Sequence, residues 1–328
     1  MKKTNLNNNN NTPVKKITKK RKTEFKTNSK SYTVPNFDGL FIANHGLTVF
    51  RKLFKSILPV LTETNMTMDE TGIEILSLDV SHVCFIKCFL PKGIFEHYEF
   101  VPDPESEDSG IRGVKIDSFL KCLDYLDHDG LCMFYCSGDR FHLESNSVGG
   151  KKEVSLRKLE IVSQAIDTEI QFALVFHIVF FMKNPIFELV KTFKCEEADV
   201  IEVGITVVEG DGVYISASVN PDENSCLKNT FKVENNELIE TFEIGNVLTE
   251  SPAGLKFKYS VRYFKYVLEC LKFSQHHSIT IHENGMTKFE FFYEDERNTA
   301  EEEKNESAFI KKIETTSLCF FLAARSDD

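Results

Sequence analysis

The sequence predicts an α+β protein built from two similar halves, each with two helices packed on antiparallel sheets, and three observations lead there. Four segments have an apolar period near that of a helix, and many short β-rich runs lie between them. The order of segments recurs: "DETGIEILSL" (69–78) and "EGDGVYISAS" (209–218) are alike at an offset of 140 residues. Lys and Arg collect on the outer faces of at least three of the four helices, in a chain whose net charge is −11.

A chain of 328 residues, 41% of them hydrophobic, can bury a substantial core in one large domain or two. Residues 1–30 hold ten Lys/Arg against Glu24 alone, a charge of +9, so the rest of the chain carries −20. With its Asn run and almost no apolar content, the segment 1–36 is expected to be a disordered basic arm. Within it "KKITKKRK" (15–22) suits a nuclear-localisation signal or a phosphate-binding arm, and equally a solubilising tail. The longest apolar run, "FALVFHIVFFM" (172–182), is too short for a membrane helix and reads as a buried strand; no secretory h-region opens the chain. The nine cysteines show no C-x-x-C spacing, so they are expected to be core hydrophobes in a reducing compartment and not zinc ligands.

The first domain is expected over 37–158, a connector over 159–172 and a second domain over 173–328. In 46–61, Phe50, Leu53, Phe54, Ile57 and Leu61 fall on one helical arc, Arg51, Lys52 and Lys55 on the opposite one, and Pro59 ends or kinks the helix. Two β-rich runs follow, 66–80 and 82–91, then an acidic loop, 101–110. A helix over 115–126 has Asp117 as its expected N-cap, Phe119, Leu120 and Leu123 inward, and Lys121 outward. In the second half, Asn184 and Pro185 signal the start of a helix over 183–194, on which Lys191 and Lys194 lie apart from Ile186, Leu189, Val190 and Phe193. The last helix, 259–272, carries Arg262, Lys265 and Lys272 on one stripe and Tyr263, Phe264, Val267, Leu268 and Leu271 on the other.

Any amphipathic helix has a solvated face, so one such stripe says little. The global contrast says more: 49 of the 50 acids lie outside the arm, yet the helix faces are net basic. A positive face on a negative body suits a polyanion, and without a sequence-reading motif the grip would be on phosphates only.

"LSLDVSHVC" (76–84) places Asp79, Ser81 and His82 within four positions, the ingredients of a hydrolytic triad. Neighbours along a strand point to opposite faces, and no nucleophile elbow accompanies Ser81, so the hydrolase reading is the weaker one.

The stretch 72–90, "GIEILSLDVSHVCFIKCFL", resembles the strand pair of the sliding clamps of the proliferating cell nuclear antigen (PCNA) family. Arg51 and Lys52 are similar to that family's adjacent basic pair, "FEHYEF" (95–100) to a clamp turn, "VRYF" (261–264) to a motif on the last helix, and "CFFLAAR" (319–325) to the final strand and tail. Pro59, Ala324, the arm, the 101–110 loop and the long 294–312 segment depart from the pattern. The resemblance implies a non-enzymatic, ring-forming DNA-clamp fold, a processivity factor in DNA replication and repair. Three identical copies are the first choice, and a mixed ring of checkpoint type the alternative. It implies edge-strand pairing of 151–161 with 225–233 of a neighbour, and work in the nucleus or at a viral or cytoplasmic replication site. Duplex DNA would meet Arg51, Lys52, Lys55, Lys121, Lys191, Lys194, Arg262, Lys265 and Lys272. A polymerase, a clamp loader and other proteins with short hydrophobic motifs would dock on Leu78, His82, Val83 and Phe85 from one half, and on Met286, Phe321 and Ala323 from the other. Ile166 of the connector would pack on the ligand. No cofactor, metal or catalytic residue is implied.

Overall fold

The computed structural model describes residues 24–27, 30–102, 110–161, 172–181, 186, 188, 199–222, 225–233, 239–245, 254–271, 274, 276–293 and 316–325. They fall into two units, Met1–Asn36 and Phe37–Asp328. In the first, β1 (Glu24–Thr27) and β2 (Lys30–Thr33) form an antiparallel hairpin where the composition predicts disorder. The cross-strand partners Phe25 and Tyr32 stack with ring centroids 5.3 Å apart. One aromatic pair gives this short ribbon an anchor that the average composition of the arm conceals.

The second unit opens with β3 (Gly39–His45), α1 (Thr48–Ile57), β4 (Glu63–Met68), β5 (Gly72–Leu78) and β6 (Cys84–Pro91). Then come β7 (His97–Val101), β8 (Ile111–Lys115), α2 (Ile116–Tyr125), β9 (Leu131–Ser137), β10 (Arg140–Ser147) and β11 (Gly150–Arg157). Its later half contains β12 (Leu174–Phe181), β13 (Val200–Val208), β14 (Gly212–Asp222), β15 (Ser225–Lys232), β16 (Ile239–Ile244) and β17 (Leu255–Ser260). Helix α3 (Val261–Cys270) follows, then β18 (His276–His282), β19 (Thr287–Tyr293) and β20 (Thr316–Leu322).

The sheets reveal the repeat. The order β11-β10-β9-β3-β7 in the first half recurs as β20-β19-β18-β12-β16 in the second, and β6-β5-β4-β8 recurs as β15-β14-β13-β17. The second half's five strands and the first half's four form one nine-stranded sheet, joined where β20 pairs with β6, from Ser317↔Phe89 to Leu322↔Cys84. The strands β11 and β15 stand outermost in their own sheets, the positions in the repeat that β20 and β6 occupy at the seam.

Alternation along β4 and β6 sends Thr64, Met66 and Met68, and Cys84, Ile86 and Cys88, to the buried face. The helices cover that face. Phe50 and Phe54 of α1 meet Phe119 of α2 at centroid distances of 5.8 and 4.9 Å, and Phe119 reaches Phe134 of β9 at 5.6 Å. Buried thiols fill gaps in this core: burial pushes Cys132 and Cys136 up to about 11, so they act as small hydrophobes.

Helix α1 stops at Ile57, two residues before Pro59. Asp117 is not an N-cap, because β8 runs straight into α2 and the Ile116 N–H donates to the Thr62 carbonyl at 3.0 Å. Asp117 sits in the first turn instead and pairs with Lys121 at 2.6 Å. The helix expected over 183–194 lies outside the described residues apart from Ile186 and Glu188, both helical. Most of the connector and the 294–312 segment also lie outside them. Among the described residues, no helix is long and apolar enough to cross a membrane.

Candidate functional site

Two surfaces gather the residues singled out in the sequence. The first is the helix layer, where α1 packs beside both α2 and α3. Lys55, Lys121 and Lys265 are exposed on it, and Lys52 is half-buried. Arg262 is exposed, lies over the Tyr266 ring at 5.5 Å and donates from Nε to the Tyr266 hydroxyl at 2.5 Å, so its guanidinium is held in place. The salt bridge to Asp117 leaves Lys121 with less free charge than the sequence pattern implies.

Arg51 does not belong to this layer's outer face. It is 7% exposed, donating from Nη1 to the Gly46 carbonyl at 2.7 Å and from Nη2 to the Leu123 carbonyl, and it pairs through Nε with Asp124 at 3.3 Å. Burial lowers its pKa, with Asp124 acting in the opposite direction. The residue clasps the start of α1 to the end of α2, which a helical wheel cannot distinguish from a solvated cation. Lys191, Lys194 and Lys272 lie outside the described residues.

The second surface is a row across the seam between the halves. Leu78 on β5 opposes Phe85 on β6, and Phe85 opposes Phe321 on β20. All three are half-buried, and the Phe85 and Phe321 rings stack at 5.2 Å. The neighbours of Phe85 and Phe321 along β6 and β20 face the core, so these two side chains, with Leu78 in register beside them, form the outer, apolar face of the sheet. Val83 accepts a backbone hydrogen bond from Ala323 at 3.1 Å, closing one end of the row. Beside it lies the turn holding Met286, whose N–H donates to Asn284 Oδ1 at 3.0 Å. Ile166 lies outside the described residues.

The turn from Asp79 to Val83 projects next to this row. Val80, which the sequence reading passed over, is 96% exposed, and His82 is exposed with a left-handed φ of 56°. Asp79 is buried and organises the turn. Its Oδ1 accepts from the Val83 and Cys84 N–H groups, both at 2.8 Å, and its Oδ2 from Ser81 N–H at 3.2 Å and the Tyr263 hydroxyl at 2.5 Å. Burial works against the charge, but Tyr263 and the three amides hold this carboxyl below its ordinary range. Burial and Asp79 together push the Tyr263 hydroxyl up to about 12. An Asp committed to three amides and a tyrosine is a turn-builder, not the orienting acid of a triad.

Residues 43–131 match the family described as "Proliferating cell nuclear antigen, N-terminal domain". The crystal structure of proliferating cellular nuclear antigen from Entamoeba histolytica superimposes with a TM-score of 0.66, over 88% of this chain and 100% of that one, at 13% identity. The chain shares the fold of that protein. Among curated proteins, "Proliferating cell nuclear antigen 2" of Plasmodium falciparum (isolate 3D7) is 31% identical over 77 residues, 24% of this chain. That alignment spans 27% of the relative's length. The PCNA-family match begins within β3 and ends at the start of β9, so it covers α1, α2 and the Asp79 turn.

Proposed function

We propose that this chain is a DNA sliding clamp, a processivity factor whose copies close head-to-tail into a ring around duplex DNA. One observation carries the reading: the fold pairs β20 with β6 inside the chain, and the repeat leaves β11 and β15 in the equivalent places. Pairing β11 of one copy with β15 of the next would continue the sheet across the boundary, and a heterologous contact of this kind closes when the rotation allows it. Three copies of two halves each make the simplest such ring.

The helix layer would line the hole, with Lys52, Lys55, Arg262 and Lys265 touching phosphates without reading bases. The Leu78–Phe85–Phe321 row would face outward and receive short hydrophobic motifs of a polymerase, a clamp loader and other replication or repair proteins. Tethering keeps a polymerase near its primer at high effective concentration, so the function needs topology and docking, not catalysis. The test is topological: the protein, loaded on a nicked circular duplex, should stay bound at salt concentrations that strip surface-bound proteins and be released when the circle is linearised. Equal retention on linear and circular DNA would overturn the reading.

A further inference from the structure

The two turns that flank the apolar row are held from beneath by one short stretch of chain, the junction of β17 and α3. Tyr263, in the first turn of α3, donates to Asp79 at 2.5 Å and thereby secures the Asp79–Val83 turn. Four residues earlier, Tyr259 at the end of β17 is fully buried. Its hydroxyl donates to the Gly285 carbonyl at 2.9 Å and accepts from Thr287 Oγ1 at 2.7 Å. Gly285 and Thr287 bracket Met286, and Gly285 has a φ of 78° with no space for a Cβ against Ala324 and Phe257. One tyrosine therefore fixes the rim that carries Val80 and His82, and the other fixes the rim that carries Met286.

We infer that Tyr259 and Tyr263 are positioning residues for partner docking: they set the spacing of the two rims without lying on the apolar row itself. The inference rests on the docking reading above and adds to it the elements that shape the site. Its physical basis is preorganisation. A left-handed His82 is a conformation that the chain alone does not favour, and a glycine at φ 78° leaves its turn many alternatives to lose; each hydroxyl secures the turn that contains one of them. A peptide bound between loosened rims would have to order them at its own expense. Arg262, next to Tyr263, is on the DNA-facing stripe, so the segment that positions the docking rims also carries a proposed phosphate contact.

The experiment uses the full chain and a fluorescein-labelled synthetic peptide whose single helical turn presents an aliphatic and an aromatic anchor. Tyr263→Phe removes one hydroxyl, and Tyr259→Phe removes the hydroxyl that donates to the Gly285 carbonyl on the other rim. Tyr214→Phe is the control: its hydroxyl binds Asp211 at 2.6 Å in the β13–β14 turn, away from the row. Each positioning variant should bind the peptide roughly threefold to tenfold more weakly, as expected for losing one hydrogen bond in a buried network. The His82 ring proton resonances should move in Tyr263→Phe, and Tyr214→Phe should match wild type in both respects. Melting temperature and sedimentation identify variants that have simply lost the fold. Unchanged affinity and unchanged His82 resonances in a folded Tyr263→Phe would overturn the inference while leaving the docking site in place. A wild-type protein that does not bind the peptide at all would overturn the docking reading, and this inference with it.

Discussion

The Phe85 and Phe321 rings stack 5.2 Å apart across the strand pair that joins the two halves, and they are direct partners in its register. The seam that makes one sheet of two halves is thus also where the chain shows its apolar row to solvent. Truncating anchors at the centre of a docking patch typically costs ~2 kcal/mol each. The double variant Leu78→Ser, Phe321→Ser should therefore weaken binding of a hydrophobic docking peptide by more than tenfold. Because both side chains are half-buried, circular dichroism should still report a folded protein. Equal affinity of wild type and folded variant would remove the row from the docking site.

The proposed ring makes a prediction about faces. On β11, Lys152, Val154 and Leu156 are half-buried, while Lys151, Glu153, Ser155 and Arg157 are exposed. On β15, Leu227 and Asn229 oppose the buried Val219 and Ala217, which sends Cys226 and Lys228 to the outer face. A β11–β15 pairing between copies that keeps the core faces aligned puts the Cys226 thiol on the same outer face as Ser155 and Arg157 of the neighbour. Ser155→Cys or Arg157→Cys, whichever lies directly opposite, should form an inter-copy disulfide with Cys226 under mild oxidation. Leu156→Cys, on the other face, should not, and Cys226→Ser should abolish the cross-link. Sedimentation as a monomer at ~10 μM with no cross-link in either variant would count against self-assembly.

Lys55 and Arg51 stand four residues apart on α1 and should respond in opposite ways. Lys55→Glu together with Lys265→Glu changes two exposed positions, so the melting temperature should stay near wild type. DNA retention should weaken, and the salt dependence should fall by about one unit of log–log slope per lost phosphate contact. Arg51→Ala leaves the Gly46 and Leu123 carbonyls and Asp124 without their donor. That should cost roughly 2–4 kcal/mol of stability, read by chemical denaturation. Loss of DNA retention in Arg51→Ala without loss of stability would return Arg51 to the DNA face.

Much of this fold was legible in the sequence because periodicity and burial agree there. Phe50, Leu53, Phe54 and Ile57 mark the inner face of α1, and each is buried. The outer strands 151–161 and 225–233 were expected from the family pattern; β15 falls within the second, and β11 begins one residue before the first and overlaps it over 151–157. Individual cations were harder to read, since Arg51 and Lys55 look alike on a helical wheel and only the backbone carbonyls at 46 and 123 tell them apart. The hairpin of Phe25 and Tyr32 was hidden by the basic composition around it, which reports an average and not a pair. The bond between Tyr263 and Asp79 joins positions 184 residues apart, and no local spacing announces it.

That bond makes stability depend on pH in a predictable sense. The folded Asp79 carboxyl titrates below its ordinary value, because Tyr263 and three amides favour its charged form over the cost of burial. A group with a depressed folded pKa stabilises the native state above the ordinary carboxylate value, near ~3.9, and the contribution fades as the pH falls through the lower folded value. Asp79→Asn keeps the shape but replaces a charged acceptor with a neutral amide, whose NH2 must face the donors that met Oδ2. At pH 7 the variant should be less stable by about 2 kcal/mol, the usual scale for a buried, charge-assisted hydrogen bond. Denaturant titrations from pH 7 down to 3 should show the gap between wild type and variant narrowing, because the wild type loses what the variant never had. A gap that stays constant across that range would mean that the Asp79 charge contributes nothing to the fold and that the turn is held by its backbone alone.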